Sequence, residues 1–395
     1  MMNLKINKYV AFISAIIILN LQCFYLVDAS KIPIRDIAVL LEAAFMAYVY
    51  CKCKHCRKGK YSFIFIVPII LVLTSTYTAY KNYGQPFYLG IRAQRHWLMA
   101  MLMYFPLNRL ITSEKLQVKQ LFDLLDKIVV VYSTLIVIQY LLGNSFLFMH
   151  VQNSTRYGSI RLYVSTSFLS ISYYYHLKLI LDGKKIKGKD AFVILMTLFI
   201  YLFVTKSRMA LVMLTGTSVL ALLSMKMTGR KLIYISAVIL AACIFMSTSI
   251  GQTILDSIFG EPSSDAGTAI RDIGRVFYIE KTMSSPLNAL FGSGFANTDW
   301  GPTVIGTRYL EGIYYNDHGI IGLFFYYGFS FVAWLLLSHI RIMRDAWEYG
   351  RKDLFFYLLC GLMGMYTLFP HCYVMDISFA MVCAMIDRVQ KTDID

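Results

Sequence analysis

Arginines at short spacing are the residues of this sequence best suited to bind a ligand. A guanidinium group donates two parallel hydrogen bonds to phosphate oxygens and keeps its charge when partly buried. Three pairs and one single arginine stand out: Arg92 with Arg95, Arg156 with Arg161, Arg271 with Arg275, and Arg208 in a short polar turn. Residues three or four apart share one face of a helix. The pattern predicts a site for an anionic ligand such as a phosphate or pyrophosphate.

Each of these arginines also has a simpler interpretation. Arginine at a helix end can place its charge among lipid headgroups while its stem stays in the hydrocarbon. Arg271 and Arg275 can instead pair with Asp272, Glu280 or Asp265. An anion-binding site is therefore indicated by the whole set of arginines and by their positions in the topology.

A candidate base lies downstream of the arginines, in Asn316-Asp317-His318-Gly319. Histidine is the side chain that most often takes a proton from a hydroxyl near neutral pH. His318 is the first candidate, Asp317 its partner or competitor, and Glu280 a distant third. The alternative is that His318 only caps a helix that begins at Gly319.

The elements that position these residues are predicted to be membrane helices. Of 395 residues, 57% are hydrophobic and 15% are charged, whereas soluble proteins carry about 25% charged residues. Apolar segments near the ~20 residues needed to cross a bilayer recur along the chain, and a backbone in lipid must be helical to satisfy its hydrogen bonds. The predicted spans are roughly 9–27, 34–50, 61–79, 96–113, 128–143, 162–181, 191–204, 209–225, 232–250, 319–339, 353–369 and 372–388. The sequence thus predicts an all-α polytopic membrane protein of about twelve helices, a single transmembrane domain over 1–395.

Orientation follows from the distribution of basic residues between the loops. With the N-terminus in the cytoplasm, the inner segments hold 18 Lys and 7 Arg, and the outer segments hold 4 Lys and 9 Arg. Lysine-rich loops lie on the cytoplasmic side, so both termini are predicted to be cytoplasmic. The net charge of +15 is mainly a topology signal, since none of the lysine-rich loops is long enough to form a nucleic-acid-binding surface. The outer positive charges are mostly arginine, which marks the outer face as the working side.

One outer segment, 251–318, is long enough to fold over the membrane as a cap. It contains the Arg271/Arg275 pair, then Phe291-Gly292-Ser293-Gly294-Phe295, and ends at His318. The two glycines predict a turn, because no strand and helix flank them as in a nucleotide-binding loop. Tyr309, Tyr314 and Tyr315 are candidates to stack on sugar rings. His371 and Asp376, at the outer ends of the last helices, are candidates to line the same cavity.

The order of these features resembles the O-antigen polymerase and ligase superfamily of bacterial polysaccharide assembly, the Wzy type. The likeness rests on the Ser207-Arg208 turn after a helix, on the Arg271–Arg275 segment leading to Gly292-Ser293-Gly294-Phe295, and on Asn316-Asp317-His318-Gly319-Ile320-Ile321-Gly322-Leu323. It covers about 160–340 by motif and the whole chain by topology.

The resemblance implies a metal-independent glycosyltransferase of GT-C type in a bacterial plasma membrane, with no cofactor. The donor would be a polyprenyl-diphosphate-linked glycan, and a polymerase transfers it to another lipid-linked repeat unit. It also implies working partners such as a flippase and a chain-length regulator. Arginines can stabilise a leaving diphosphate without a metal, and in the family's ligases a histidine stands in the stretch that contains His318.

Other functions remain open at this point. An O-antigen ligase would share the same motifs and transfer the finished chain to a lipid A core sugar. A lipid-linked oligosaccharide flippase would also have about twelve helices, but it needs no long outer segment. A structural or sensory membrane protein does not need nine outer arginines. The segment Cys51-Lys52-Cys53-Lys54-His55-Cys56 has the composition of a metal site, yet it is best interpreted as a basic loop.

Overall fold

The computed structural model describes residues 7–53, 58–143, 145–156, 159–224, 252, 266–364 and 376–387. Most of these residues are helical. The α-helices are α1 Lys8–Asn20, α2 Ile34–Lys52, α3 Ser62–Tyr83, α4 Phe87–Leu102, α5 Tyr104–Thr112, α6 Val118–Leu142, α7 Ser167–Leu181, α8 Gly188–Phe199, α9 Arg208–Leu223, α10 Ala266–Met283, α11 Pro286–Phe291, α12 Gly301–Gly306, α13 Ile320–Glu348, α14 Lys352–Gly364 and α15 Ile377–Asp387. Short 3-10 turns occupy Gln22–Tyr25, Tyr309–Glu311 and Tyr315–His318, and a π turn Ile200–Val204 continues α8. The predicted span 232–250 lies outside the described residues.

Two helices among the described residues, α3 and α13, are long and apolar enough to cross a membrane. Helix α13 is interrupted at Gly328, whose φ of 66° is not helical. It packs against α3, α10, α11 and α14, so it holds the centre of the described fold.

The prediction of an all-α fold was wrong for one segment. Strand β1, Asn153–Arg156, pairs antiparallel with strand β2, Ser159–Leu162. Ile160 and Leu162 are buried, and Arg161 stands between them, which is the two-residue alternation of a strand. Arg156 and Arg161 therefore lie on a hairpin and do not open the helix that follows, which begins at Ser167.

The predicted span 96–113 is also divided differently. Helix α4 begins at Phe87, directly after Pro86, and ends at Leu102. A separate helix, α5, begins at Tyr104 and contains Pro106. Proline has no N–H and its ring clashes with the carbonyl four residues earlier, which here belongs to Leu102, the last residue of α4. Arg92 and Arg95 consequently lie on the first turns of α4 and not in a loop.

Hydrogen bonds join several of the predicted cytoplasmic segments at one end of the helices, here called the inner end. The backbone N–H of Lys60 donates to both carboxylate oxygens of Asp387, at 3.1 and 3.0 Å. The Lys60 ammonium lies 2.7 Å from Asp345, and the Tyr61 hydroxyl donates to the same carboxylate at 2.7 Å. Tyr104 donates to Asp387 at 2.6 Å. The starts of α3 and α5 thus meet the ends of α13 and α15.

Candidate functional site

A cavity of about 320 Å³, here called the chamber, lies between α4, the outer segment and the start of α13. Helix α4 contributes Arg92 and Arg95, and the loop after α11 contributes residues 295–299. The remaining wall is rich in tyrosine: Tyr278, Tyr309, Tyr315 and Tyr326. The structure therefore places one predicted arginine pair and two of the predicted sugar-stacking tyrosines around a single cavity.

The two arginines of α4 are already paired with carboxylates. Arg95 Nε donates to Asp36 Oδ1 at 2.7 Å, which ties α4 to the first turn of α2. An Nη1 atom of Arg92 lies 3.5 Å from Oδ2 of Asp299, on the opposite wall. Both of the latter side chains are more than half exposed. An ion pair this exposed contributes little to stability, so an anionic ligand can replace Asp299 as the partner of Arg92.

Two glycines allow the loop of the opposite wall to approach the helices. Gly292 and Gly294 have φ values of 80° and 97°, which L side chains rarely adopt. A Cβ on Gly292 would overlap the backbone of α13 at Tyr326 and Tyr327, and one on Gly294 would overlap the backbone of α3 at Ala79. The predicted turn is thus confirmed, and its glycines serve close packing between backbones.

Polar side chains at the end of α3 then hold the loop in place. Ser75 Oγ accepts from the Phe295 N–H at 2.8 Å and donates to the Tyr326 carbonyl at 2.9 Å. Gln85, which is fully buried, donates to the Phe295 carbonyl at 3.0 Å. Its Oε1 accepts from the Asn297 N–H at 2.8 Å and from the Thr303 hydroxyl at 3.1 Å. These contacts fix the wall that carries Asp299.

Sequence reasoning missed Ser75, Gln85, Asn297 and Asp299. Their partners lie more than 200 residues away along the chain, and no local pattern marks such pairs. A polar glutamine directly before Pro86, at the end of an apolar helix, is the one signal that could have indicated Gln85.

The aromatic side chains of the chamber pack on one another. Tyr326 lies 4.4 Å from Phe295 and 4.5 Å from Tyr315, measured between ring centroids, and Tyr309 lies 4.9 Å from Tyr314. Burial raises the pKa of Tyr315 to about 12, although the charge of Arg35 opposes the change. The Tyr315 hydroxyl is therefore protonated at neutral pH and can donate a hydrogen bond. Arg35 lies near enough to act on the chamber electrostatically.

His318 lies behind this aromatic wall. Its side chain is 2% exposed, its ring meets the edge of Tyr278 at 5.1 Å, and Nδ1 has no hydrogen-bond partner among the described residues. Burial lowers the pKa of His318, and so do Arg275 and Arg271, while Asp317 raises it. Neither His318 nor Asp317 belongs to the described lining of the chamber. The N-cap residue of α13 is Gly319, and no side-chain hydrogen bond caps the helix there.

Helix α10 brings the Arg271/Arg275 pair to His318 and not into the chamber lining. Gly274 stands between the two arginines, and a Cβ there would lie 2.5 Å from Nε2 of His318. Arg271 is exposed. Arg275 donates to Asp272 at 3.0 Å, which is the ion pair that the simpler interpretation predicted. Arg308 is held by Glu311, and Glu280 is exposed.

A second basic cluster forms where the hairpin meets the turn before α9. Arg161 Nε donates to the Thr205 carbonyl at 2.8 Å, and its guanidinium lies 4.4 Å from the Tyr163 ring centroid. Lys206 is buried and has a φ of 46°. Arg208 is the first residue of α9. The structure thus joins Arg161 to the Arg208 turn; the side chains of Arg156 and Arg208 lie outside what it describes.

A buried histidine between two carboxylates was not predicted. Nδ1 of His176 lies 2.8 Å from Asp190 and Nε2 lies 3.1 Å from Asp126. Lys189 Nζ lies 2.6 Å from Asp126. The three elements α6, α7 and the start of α8 meet at this cluster, and spacings of 14 and 50 residues leave no signal in the sequence.

The remaining predicted residues are not part of the described lining of the chamber. Asp376 accepts from the Ser378 N–H at 3.4 Å, while His371, His55 and Cys56 lie outside the described residues. Cys51 is exposed, and Cys53 is buried with its sulfur 3.2 Å from Lys115 Nζ. Within the described part of the chain, no group of three His, Cys, Asp or Glu is placed to hold a metal ion.

No protein-family model matches the chain, and no curated protein matches it either. The chamber, with its arginines, tyrosines and single loop carboxylate, is the strongest indication of function among the described residues.

Proposed function

We propose that this chain is a polysaccharide polymerase of a bacterial plasma membrane. It transfers a polyprenyl-diphosphate-linked glycan to another lipid-linked repeat unit at the outer face. The observation that carries the proposal is the chamber, whose lining brings Arg92 and Arg95 together with four tyrosines under the outer segment. An anion-binding wall opposite an aromatic wall suits a substrate with a diphosphate at one end of a sugar.

The chemistry of such a transfer fits the groups present. The bond that breaks joins the anomeric carbon to a phosphate oxygen, so negative charge develops on the leaving diphosphate. Preorganised guanidinium groups in a site shielded from water stabilise that charge. Tyrosines with protonated hydroxyls can stack on sugar rings and donate hydrogen bonds to them. A volume of about 320 Å³ is at the low end of ligand pockets, about 300–1,000 Å³, and suits the reacting ends of two chains.

Hydrogen bonds between loops that are predicted to lie on the same side support a polytopic topology of about twelve spans with both termini inside. At the inner end, Lys115 Nζ donates to the Lys52 carbonyl at 2.8 Å and Lys352 Nζ donates to the Ser224 carbonyl at 3.2 Å. The predicted outer segments are joined to one another as well, through Arg95 with Asp36 and Gln85 with Phe295. None of these contacts joins an inner segment to an outer one. The proposed twelve include the span 232–250.

Ligase and flippase remain the competing functions. A ligase uses the same donor and differs in its acceptor, a lipid A core sugar, for which no residue here provides a specific reason. A flippase passes its substrate between two halves, whereas the chamber lies under a long outer segment at one face. The polymerase is therefore the function that the geometry supports best.

The test replaces Arg95 or Arg92 by Ala in the bacterium that carries this chain and measures the length distribution of the surface polysaccharide. Both variants are expected to reduce the long polymer to single repeat units that still reach the surface. Arg208→Ala is expected to do the same. Arg344→Ala, an exposed arginine at the inner end, is the matched control and keeps the full length distribution.

The other outcomes identify the competing functions. Long lipid-linked chains that accumulate without attachment indicate a ligase. Repeat units that fail to reach the surface indicate a flippase. An unchanged length distribution in all three arginine variants contradicts the proposal.

A further inference from the structure

We infer that Asp299 is the base that takes the proton from the acceptor hydroxyl; this inference rests on the proposed function. Among the described residues that line the chamber, Asp299 is the one carboxylate. Its side chain is 60% exposed, so it is accessible to a substrate hydroxyl. It faces Arg92, the group assigned to the leaving diphosphate.

The backbone around Asp299 is fixed by buried contacts. The Asp299 N–H donates to Asn297 Oδ1 at 2.8 Å. Asn297 in turn donates to the Leu89 carbonyl of α4 at 3.0 Å, and its own N–H donates to Gln85 at 2.8 Å. The backbone of Asp299 is therefore held in place beside α4, with its carboxylate within reach of Arg92. Catalytic groups act best when the surrounding structure holds them in place.

The two bases suggested by the sequence are less well placed. His318 is buried between Gly274 and Tyr278, and Tyr278 is itself part of the chamber wall. Asp317 is exposed and is not part of the described lining. Asp299 reaches an acceptor in the chamber without any movement of the aromatic wall.

The ion pair with Arg92 suggests how the carboxylate is released for catalysis. Without substrate, Arg92 and Asp299 lie 3.5 Å apart across the chamber. A bound diphosphate competes for Arg92 with more negative charge and with oxygens that accept two parallel hydrogen bonds. Arg92 then turns to the phosphate, and Asp299 is free to accept a proton.

The step balances as follows. Asp299 takes the hydroxyl proton of the acceptor, and the hydroxyl oxygen forms the new bond to the anomeric carbon of the donor. The bond from that carbon to the phosphate oxygen breaks, and its electron pair leaves with the diphosphate, which Arg92 and Arg95 stabilise. The proton passes from Asp299 to water or to the departing diphosphate.

The experiment uses the full chain in lipid nanodiscs. Transfer is measured with the lipid-linked repeat unit extracted from cells that lack this chain, and binding is measured with sugar-free polyprenyl diphosphate. Asp299→Asn is expected to slow transfer by about 10²–10⁴-fold, the usual contribution of a general base. It should bind polyprenyl diphosphate at least as tightly as the wild type, because Arg92 loses a competing carboxylate. Asp272→Asn removes a carboxylate that pairs with Arg275 outside the lining and should keep the wild-type rate.

Several results overturn the inference. The inference is wrong if Asp299→Asn transfers at the wild-type rate. It is also wrong if His318→Gln abolishes transfer while Asp299→Asn preserves it. If Asp299→Asn loses both binding and transfer, and Asp299→Glu, which keeps the charge, does not restore the rate, Asp299 has a structural role instead. If the wild type binds polyprenyl diphosphate but transfers nothing, the proposed function itself is wrong.

Discussion

At the scale of single residues, His318 is a predicted base whose ring is enclosed by its neighbours. Its type and its place before an apolar helix made it a predicted base, and in the structure it is buried outside the chamber lining. The ring fills space left by Gly274 and meets Tyr278. Asp299 has no such motif around it, and only the fold brings it to the arginines. A residue's type can suggest chemistry, but its access to a cavity depends on contacts distant in sequence.

The pH dependence of stability tests the environment of His318. Burial and two nearby arginines lower its pKa in the folded protein, while the unfolded chain binds a proton near the ordinary value of about 6.5. The unfolded state therefore holds more protons below that pH, and the protein loses stability as pH falls from 6.5 toward the folded-state pKa. His318→Gln has no such proton to bind. We expect the melting temperature of the wild type in detergent to fall more steeply than that of His318→Gln between pH 7 and pH 5. Parallel curves for the two proteins would contradict this.

Gly274 provides a second test at the same place. An Ala at this position puts a methyl group against the buried His318 ring, and overpacking of this kind costs about 1–3 kcal/mol. Gly274→Ala should therefore lower the melting temperature. Gly216→Ala is the control, because nothing lies within 4 Å of its added Cβ and Ala in a helix is favoured over Gly by about 0.5–1 kcal/mol. Equal melting temperatures for the two variants would show that His318 does not fill this space.

At the level of elements, hydropathy located most described helices but not their ends. The start of α4 at Phe87 was missed because its first turns carry arginines, and an apolar window begins only where those charges stop. The hairpin of β1 and β2 was missed because a four-residue strand contains too few residues for a clear alternation. The turn at Gly292 and Gly294 was predicted from residue type alone, since glycine tolerates backbone angles that other residues do not.

The turn at Gly292 and Gly294 can be tested with a matched control variant. Gly292→Ala must both adopt a positive φ and overlap the backbone of α13. Gly84→Ala meets the first condition alone, with a φ of 62° and open space around its Cβ. On the proposed function, we expect Gly292→Ala to abolish polymer formation while the protein still inserts in the membrane, and Gly84→Ala to lose only about 1–2 kcal/mol of stability. Polysaccharide length and protein level in membranes are the two measurements. Polymer of normal length from Gly292→Ala would mean that the close packing of loop and helix is not required.

The His176 cluster makes the junction of α6, α7 and α8 the next element to test. His176→Ala leaves Asp126 and Asp190 buried without the imidazole between them. A buried polar group that loses its hydrogen-bond partner destabilises a protein by about 1–3 kcal/mol. We expect a clearly lower melting temperature for this variant, whereas Asp182→Ala, at the exposed end of α7, should melt like the wild type. A stable His176→Ala protein would show that the remaining contacts, from Lys189 and Ser172 to Asp126 and from the Lys187 N–H to Asp190, are sufficient.

For the whole molecule, the distribution of lysine and arginine between the loops was the most informative feature of the sequence about topology. It predicted which loops share a side, and the structure joins segments predicted for the same side: Lys60 with Asp345 and Asp387 at one end, Arg92 with Asp299 at the other. Composition could not predict which outer segments meet, because the chamber is built from α4, the loop after α11 and the start of α13. About half of the chain separates α4 from the other two.

Reporter fusions test the proposed orientation directly. Alkaline phosphatase is active only outside the cytoplasm, so a fusion after Gly306, in the outer segment, should be active. A fusion after Lys187, in the lysine-rich loop before α8, should be inactive, and a green fluorescent protein at the same two positions should give the opposite pattern. The physical reason is that lysines near a span keep a loop in the cytoplasm, while Arg271, Arg275 and Arg308 lie in a long segment, where basic residues influence orientation less. Phosphatase activity after Lys187 would place the chamber on the cytoplasmic face, and a lipid-linked donor presented outside could then not reach Arg92 and Arg95.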